Sequence, residues 1–369
     1  MRVLGFMSGT SLDAVDIAVL ETDGETIQAF GPAGERKLSE TTRELVQEAV
    51  RQALVLPRDA PDPPAFADAA KAIAEEHAAA ARGFMATHGL TRADIDLIGF
   101  HGQTVFHERP SGGQIGRTIQ LGDADLLASQ LGIPVVYDLR KADVAAGGEG
   151  APLAPIYHAA LVRHSGHEAP AAALNLGGVA NITLIGKDPD DLKAFDTGPA
   201  NGMIDLLVQE RGAGRFDEDG RLASAGTVNP DALNALLDHP YFKAPPPKSL
   251  DRYDFKLDPV RALRLEDAVA TLTAFTVETV RLATQWIEPP SALIVGGGGR
   301  HNPALMAGLR AALPMRVLSA EDAGWRGDSI EAEAWAYLAA RSHLGLPISY
   351  PATTGVPAPM TGGKTAHPA

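Results

Sequence analysis

The chain has 369 residues, 45% of them apolar and 21% charged, an ordinary globular composition long enough for two domains. Its net charge of −14, without a long basic run, argues against nucleic acid and anionic membrane surfaces as partners. With no cysteine, disulfides, thiolate metal sites and a nucleophilic thiol are excluded. No apolar run reaches the roughly 18 residues of a membrane span, and Ser8-Gly9-Thr10-Ser11 interrupts the N-terminal apolar stretch too early for a signal peptide, so a cytoplasmic location is expected.

Residues 2–7 read as a strand, residues 8–11 as a turn of small and hydroxylic residues, and residues 17–20 as a returning strand. Glycine allows close backbone approach, and successive N–H groups with hydroxyls form an anion nest. Asp13 and Asp16 beside such a nest would repel a phosphate unless a divalent cation lies between them. A plain hairpin with solvated aspartates is the alternative reading. No GxxxxGK[ST] motif is present, and strand-loop-strand is not a Walker arrangement.

Further along, helices are expected over residues 39–54 and 65–88, with a Pro/Asp-rich connector at 57–64. A buried strand at 95–100 runs into His101-Gly102-Gln103-Thr104, and short strands follow at 118–121 and 134–137. The Gly/Pro-rich residues 145–155 are the best candidate for an interdomain crossing. The pattern then restarts: residues 171–176, Gly177-Gly178 and residues 179–185 again read as strand, glycine turn and strand, which suggests an internal duplication. A strand at 193–195 ends in Asp196-Thr197-Gly198-Pro199-Ala200-Asn201, before a helix from about residue 202 to 210. Residues 216–255 are polar and Pro-rich, and 265–288 form a long helix. A strand at 291–295 opens into Gly296-Gly297-Gly298-Gly299-Arg300-His301-Asn302. Helix 303–313, strand 315–318 and helix 329–343 precede a Pro/Gly/Thr-rich tail. This alternation marks an α/β protein.

Three glycine-hydroxyl-carboxylate clusters thus end apolar strands, where open α/β sheets bind ligands, and together they favour a nucleotide. His101 and His107 have no third partner at metal-ligand spacing, and a histidine bonded to its own turn is the simpler reading. Asp138 and Arg140 are either an ion pair or an arginine that reads a carboxylate with its planar fork. Asp328 or Ser329 can cap the last helix, with Glu331 and Glu333 as first-turn charges.

Taken in order, several of these segments resemble the anhydro-N-acetylmuramic acid kinase family. They are Phe6-Met7-Ser8-Gly9-Thr10-Ser11-Leu12-Asp13-Ala14-Val15-Asp16, His101-Gly102-Gln103-Thr104, Asp138-Leu139-Arg140, Gly147-Gly148-Glu149-Gly150-Ala151-Pro152-Leu153, Asn175-Leu176-Gly177-Gly178-Val179-Ala180-Asn181-Ile182-Thr183 and Phe195-Asp196-Thr197-Gly198-Pro199-Ala200-Asn201. The glycine run 296–302, Asp328-Ser329-Ile330-Glu331-Ala332 and Thr353-Thr354-Gly355 complete the set. Ala14 departs from the pattern, standing where the family usually has a second glycine.

The resemblance implies a two-lobed fold of the hexokinase–actin–Hsp70 (ribonuclease-H-like) kind around a central nucleotide cleft. The lobes are expected at 1–140, joined by the tail 345–369, and at 141–344. It implies conversion of 1,6-anhydro-N-acetylmuramic acid, ATP and water to N-acetylmuramic acid 6-phosphate and ADP, in the recycling of bacterial cell-wall fragments. By position in the motifs, Asp196 is the base that activates water. Gly9, Thr10, Ser11, Leu12, Asp13, Ala14, Val15 and Asp16 hold the nucleotide phosphates, with Mg²⁺ reached by Asp13 and Asp16 through water. Gly177, Gly178, Asn181, Gly198, Asn201, Gly296, Gly297, Gly298 and Asn302 complete the nucleotide site. Arg140 reads the lactyl carboxylate, and Thr104 and Glu331 the sugar hydroxyl and N-acetyl region. A homodimer is one option for assembly. Two rival readings are an ordinary sugar kinase of the same superfamily, in which Asp196 deprotonates a free hydroxyl, and a catalytically silent nucleotide sensor.

Overall fold

The computed structural model describes residues 1–9, 12–188, 191–250, 254–286 and 288–369. The chain divides into two compact units, residues 1–160 with 329–369 and residues 161–328. The boundaries therefore fall at 160/161 and 328/329, whereas the sequence places them at 140/141 and 344/345.

The first unit begins with β1 (Arg2–Ser8), β2 (Ala14–Thr22) and β3 (Ile27–Lys37), an antiparallel meander. Helices α1 (Glu40–Val55) and α2 (Pro64–Thr87) follow, then β4 (Leu97–Phe100), the hairpin β5 (Gln103–Glu108) and β6 (Arg117–Leu121), α3 (Ala124–Leu131) and β7 (Val135–Tyr137). Ser39 caps α1 by accepting from the Thr42 N–H at 3.2 Å, and Gly132 ends α3 in the left-handed conformation. After α4 (Lys141–Ala145), the division falls inside α5 (Pro155–His164).

The second unit holds β8 (Ala171–Leu176), β9 (Val179–Ile185), β10 (Leu192–Pro199), α6 (Asn201–Glu210), α7 (Arg221–Ala225), α8 (Pro230–Leu237), α9 (Leu265–Ala283), β11 (Ala292–Gly296), α10 (Pro303–Ala312) and β12 (Arg316–Ser319). The stretch read from sequence as polar and Pro-rich thus contains α7 and α8. The chain returns to the first unit with α11 (Ile330–His343), α12 (Pro351–Thr354) and β13 (Lys364–Ala366).

The main sheets run β13-β7-β4-β1-β2-β3 and β10-β9-β8-β11-β12. Each is an antiparallel three-strand meander continued by two parallel strands on the side of its first strand, and in the first sheet β13 adds an antiparallel edge beside β7. The duplication suggested by the two glycine hairpins is therefore present as topology, the ribonuclease-H-like pattern in each unit.

Alternation along β1 places its residues on opposite faces. Leu4 and Phe6 join Val15, Ile17 and Val19 in a core covered by α1, α2 and α3. Gly5 faces the other way and is paired with Gly99 on β4. A Cβ at Gly5 would lie 2.0 Å from the Ala332 carbonyl oxygen, and one at Gly99 would lie 2.2 Å from the Trp335 carbonyl oxygen. Two glycines side by side therefore let the backbone of α11 rest directly on the sheet, which draws α11 into the first unit and fixes Trp335 beside β4. In the second unit, Leu174, Ile182, Phe195 and Leu293 pack with Val277 and Val280 of α9 and Leu305 and Leu309 of α10. Among the described residues, no helix is long and apolar enough to cross a membrane.

His77 of α2 is buried between Phe6 and Phe100, each ring edge-on at 5.1 Å, with Nδ1 2.7 Å from the Ile73 carbonyl oxygen. Burial lowers its pKa from the ordinary 6.5 to about 4, and burial also brings His107 and His158 to about 4. Between those values the unfolded chain binds protons that the native state refuses, so stability should fall as pH drops from about 6.5 towards 4. Thermal unfolding followed across that window should show a shallower decline for His77→Leu than for the wild type. An unchanged slope would remove His77 from the account.

Candidate active site

In the first unit, β1 ends at Ser8 and the turn to β2 follows. Ser8 Oγ is buried and has no hydrogen-bond partner among the described residues. The Gly9 carbonyl accepts from the Leu12 N–H at 3.1 Å and from Gln103 Nε2 at 3.2 Å. Leu12 adopts φ = 57° with its side chain buried, a left-handed turn that reverses the chain here. Thr10 and Ser11 lie outside the described residues. Asp13 is exposed, while Ala14, Val15 and Asp16 open β2, with Asp16 opposite Met7. Asp16 carries a polar or electrostatic contact of its own.

Arg140 follows β7 and is held from three sides. Its Nε donates to His101 Nε2 at 2.9 Å and its Nη1 to the Gly150 carbonyl at 2.7 Å. The guanidinium also lies 5.0 Å from the centre of the Trp335 ring, against which His101 stacks at 4.3 Å. Because arginine cannot accept a hydrogen bond, His101 is neutral with its proton on Nδ1. Burial, reinforced by the Arg140 charge, keeps the His101 pKa well below its usual value. Burial lowers Arg140 to about 10, so it stays cationic at neutral pH. Glu331, in the first turn of α11, is reachable by solvent yet crowded by protein atoms. Desolvation raises its carboxyl pKa, and the Arg140 charge opposes that shift.

The alternative pairing of Arg140 with Asp138 is not what forms. Asp138 instead meets Lys141 at 2.7 Å and Lys364 at 3.6 Å. Thr104 on β5 accepts from Gln120 Nε2 at 3.2 Å. His107 bonds Thr118 Oγ1 through Nδ1 at 3.0 Å, so each of the two histidines considered as metal ligands has a protein partner.

The second unit aligns its candidates by strand register. Asp196 on β10 opposes Asn181 on β9, Asn181 opposes Asn175 on β8, and Asn175 opposes Gly296 on β11. Directly opposed residues share a sheet face, so Asp196, Asn181 and Asn175 form one polar row. The Gly177-Gly178 turn meets the start of α6: Asn201 N–H donates to the Gly177 carbonyl at 3.0 Å, and Ala200 and Gly202 N–H to the Gly178 carbonyl at 3.0 and 3.1 Å. Asn201 Nδ2 donates to the Leu176 carbonyl at 3.0 Å. Gly297 adopts φ = 73°, and a Cβ there would sit 2.3 Å from Asn175 Oδ1, whereas Gly298 borders open space. Gly177, Gly178, Asn201 and Gly296 to Gly298 thus converge on one glycine-lined cradle.

Two candidates have structural work of their own. A Cβ at Gly198 would lie 2.6 Å from Thr279 Oγ1, so α9 packing accounts for that glycine. Asn302 caps α10, its Oδ1 accepting from the Ala304 and Leu305 N–H groups at 3.0 and 3.3 Å.

A loop that follows α8 clasps Asp196. Leu250 N–H donates to Asp196 Oδ2 at 2.7 Å, Tyr241 Oη to the Asp196 carbonyl at 2.5 Å, and Asp196 N–H to the Lys248 carbonyl at 3.0 Å. A carboxylate oriented in this way can take a proton from a water held against it.

The model of the anhydro-N-acetylmuramic acid kinase family matches residues 1–367 of the chain. The chain is 66% identical over 365 residues to the anhydro-N-acetylmuramic acid kinase of Caulobacter vibrioides, covering 99% of this chain and 98% of that one. It is 63% identical over 369 residues to that of Phenylobacterium zucineum, covering both chains fully. The chain belongs to the anhydro-N-acetylmuramic acid kinase family. ATP is therefore its phosphoryl donor.

Several residues around this family's motifs escaped the sequence reading. Arg300, almost wholly buried, donates from Nη1 to the Gly297 carbonyl at 3.0 Å and from Nη2 to Asp328 Oδ1 at 2.6 Å, and also pairs with Glu321 at 3.0 Å. It thereby ties the glycine cradle to the loop before α11, and Asp328 serves that pairing. Trp335 and the clasp from Tyr241 to Leu250 have no local signature beyond an aromatic in a plausible place.

Proposed function

We propose that this kinase opens 1,6-anhydro-N-acetylmuramic acid with water and phosphorylates O6, giving N-acetylmuramic acid 6-phosphate and ADP. The observation that carries the reading is family membership over essentially the full chain. The residue roles are those that the resemblance implies, and the site geometry is compatible with them. Asp196, oriented through Oδ2 by the Leu250 N–H, takes one proton from water as the water oxygen bonds to C1. The bond from C1 to the bridging oxygen breaks, and that oxygen, now O6, bonds to the γ-phosphorus. The bond from γ-phosphorus to the β,γ-bridging oxygen breaks and ADP leaves. No acid is needed for the departing sugar oxygen, because phosphorus captures it.

Arg140 reads the lactyl carboxylate, prepared by the His101, Gly150 and Trp335 contacts that fix its plane. Thr104 and Glu331 face the sugar hydroxyls and N-acetyl group. The cradle around Gly177, Gly178, Asn201 and Gly296 to Gly298 takes the nucleotide, and the turn at Gly9 the terminal phosphates. The buried Ser8 Oγ, without a partner among the described residues, and the Asp13 and Asp16 carboxylates that follow it in the chain are hard oxygen donors that fit a hydrated Mg²⁺. That ion would neutralise charge on the β- and γ-phosphates. The reaction consumes ATP and a cell-wall fragment, so the reading assigns it to peptidoglycan recycling, with the cytoplasm as its proposed location.

Turnover in ¹⁸O-water tests the chemistry. Mass spectrometry at early times should find label on the anomeric hydroxyl and none in the phosphate. Label in free phosphate would mean ATP hydrolysis. A phosphorylated sugar with the anhydro bridge intact would mean an ordinary sugar kinase, and ATP turnover indifferent to the anhydro sugar would mean a nucleotide sensor.

A further inference from the structure

The Thr353-Thr354-Gly355 motif has no role in the mechanism above, yet it meets the glycine segment 147–150, whose last residue, Gly150, holds Arg140. Thr354 closes α12, and the next residue, Gly355, is left-handed at φ = 82°. Thr354 and Asp143 are both buried, at 0% and 2% exposure. Thr354 Oγ1 donates to Asp143 Oδ2 at 2.6 Å, and the Thr354 carbonyl accepts from the Glu149 N–H at 2.7 Å. Asp143 Oδ1 accepts from the Gly150 N–H at 2.6 Å. The other end of the same residue, the Gly150 carbonyl, accepts from Arg140 Nη1 at 2.7 Å.

A continuous path of hydrogen bonds therefore runs from Thr354 through Asp143 and Gly150 to Arg140. The glycines are required along it. A Cβ at Gly148 would lie 2.3 Å from Asp143 Oδ1, and Gly150 has φ = 74° with Val144 Cγ2 2.5 Å from a Cβ. The buried carboxylate has both oxygens used, each in a charge-assisted bond. Removing the Thr354 hydroxyl would leave Oδ2 without that donor in a buried place, a condition that favours rearrangement of the loop.

We propose that Asp143 and Thr354 are positioning residues for sugar recognition: together they set the Gly150 carbonyl that aims the Arg140 fork, so the C-terminal segment helps to determine selectivity for a carboxylate-bearing sugar. The inference rests on the reading of Arg140 as the group that binds the lactyl carboxylate. Neither residue touches substrate. Their effect passes through a single residue, Gly150, whose N–H and carbonyl belong to consecutive peptide units, and coupling of this kind changes binding by roughly 2- to 30-fold.

The test uses the full chain with Thr354→Val, which keeps the shape and removes the donor, and Thr354→Ser, which restores it. Thr354→Val should raise the KM for 1,6-anhydro-N-acetylmuramic acid within that range, leaving the KM for ATP and kcat at saturation close to wild type, and Thr354→Ser should recover most of the loss. With 1,6-anhydro-N-acetylglucosamine, which lacks the lactyl group, Thr354→Val and wild type should behave alike. In an Arg140→Ala background, Thr354→Val should add nothing. Equal losses on both sugars, or an unchanged KM in a protein whose melting temperature shows it folded, would overturn the positioning role. If Arg140→Ala itself fails to distinguish the two sugars, the reading of Arg140 falls and this inference falls with it. If Arg140→Ala distinguishes them and Thr354→Val does not, only the inference falls.

Discussion

Asp196→Asn should lower turnover by roughly 10²- to 10⁴-fold, the usual weight of a general base, while folding and ATP binding stay near normal. The substitution is close to isosteric, so the side-chain oxygen can still accept the Leu250 N–H, and the backbone bonds to Tyr241 and Lys248 do not involve the carboxylate. What is lost is the capacity to take up a proton. Steady-state rates, a thermal melt and a nucleotide titration on the same preparation separate these effects. Near wild-type turnover would remove Asp196 from the role and turn attention to Glu331, the other carboxylate proposed beside the sugar. A collapsed melting temperature would show that the clasp depends on the charge of Asp196.

The second large effect is expected at Arg140. Arg140→Ala should raise the KM for the anhydromuramyl sugar far more than that for ATP, by the equivalent of a charge-assisted hydrogen bond, about 1.5–3 kcal/mol. The side chain is already immobilised by His101, Gly150 and Trp335, so little ordering cost remains when a carboxylate arrives. An analogue without the lactyl carboxylate should not distinguish the variant from wild type. Equal losses on the two sugars would make Arg140 a structural residue that braces the Gly150 loop.

Much of this was legible in the sequence because the decisive elements carry local signals. The strands ending at Ser8, Leu176 and Gly296 are short apolar runs closed by glycine, and Ser39 and Gly132 mark helix ends through capping chemistry. The helices at 221–225 and 230–237 were passed over because proline and charge dominate that stretch. Yet Asn229 followed by Pro230 is a helix-start signature, and Asn229 does cap α8 by accepting from the Ala232 N–H. Nothing local says that Gly5 and Gly99 are spaced to receive a helix from more than two hundred residues away, so the membership of α11 in the first unit has no signal in the sequence. The contacts that aim Arg140 and Asp196 were hidden for the same reason: His101, Trp335, Tyr241 and Leu250 gain their roles from register and packing.

The seat that Gly5 and Gly99 provide for α11 also orders events in time. The strands bearing these glycines leave the ribosome early, but α11 is made only after residues 161–328, a contiguous stretch that forms the whole second unit. At about 5–20 residues per second, roughly 10–50 s separate the emergence of β4 from that of α11. The second unit can finish folding in that interval, while the first presents an uncovered sheet face to whatever is nearby. A chaperone that shields apolar strands has its natural window there, and the window closes when α11 docks.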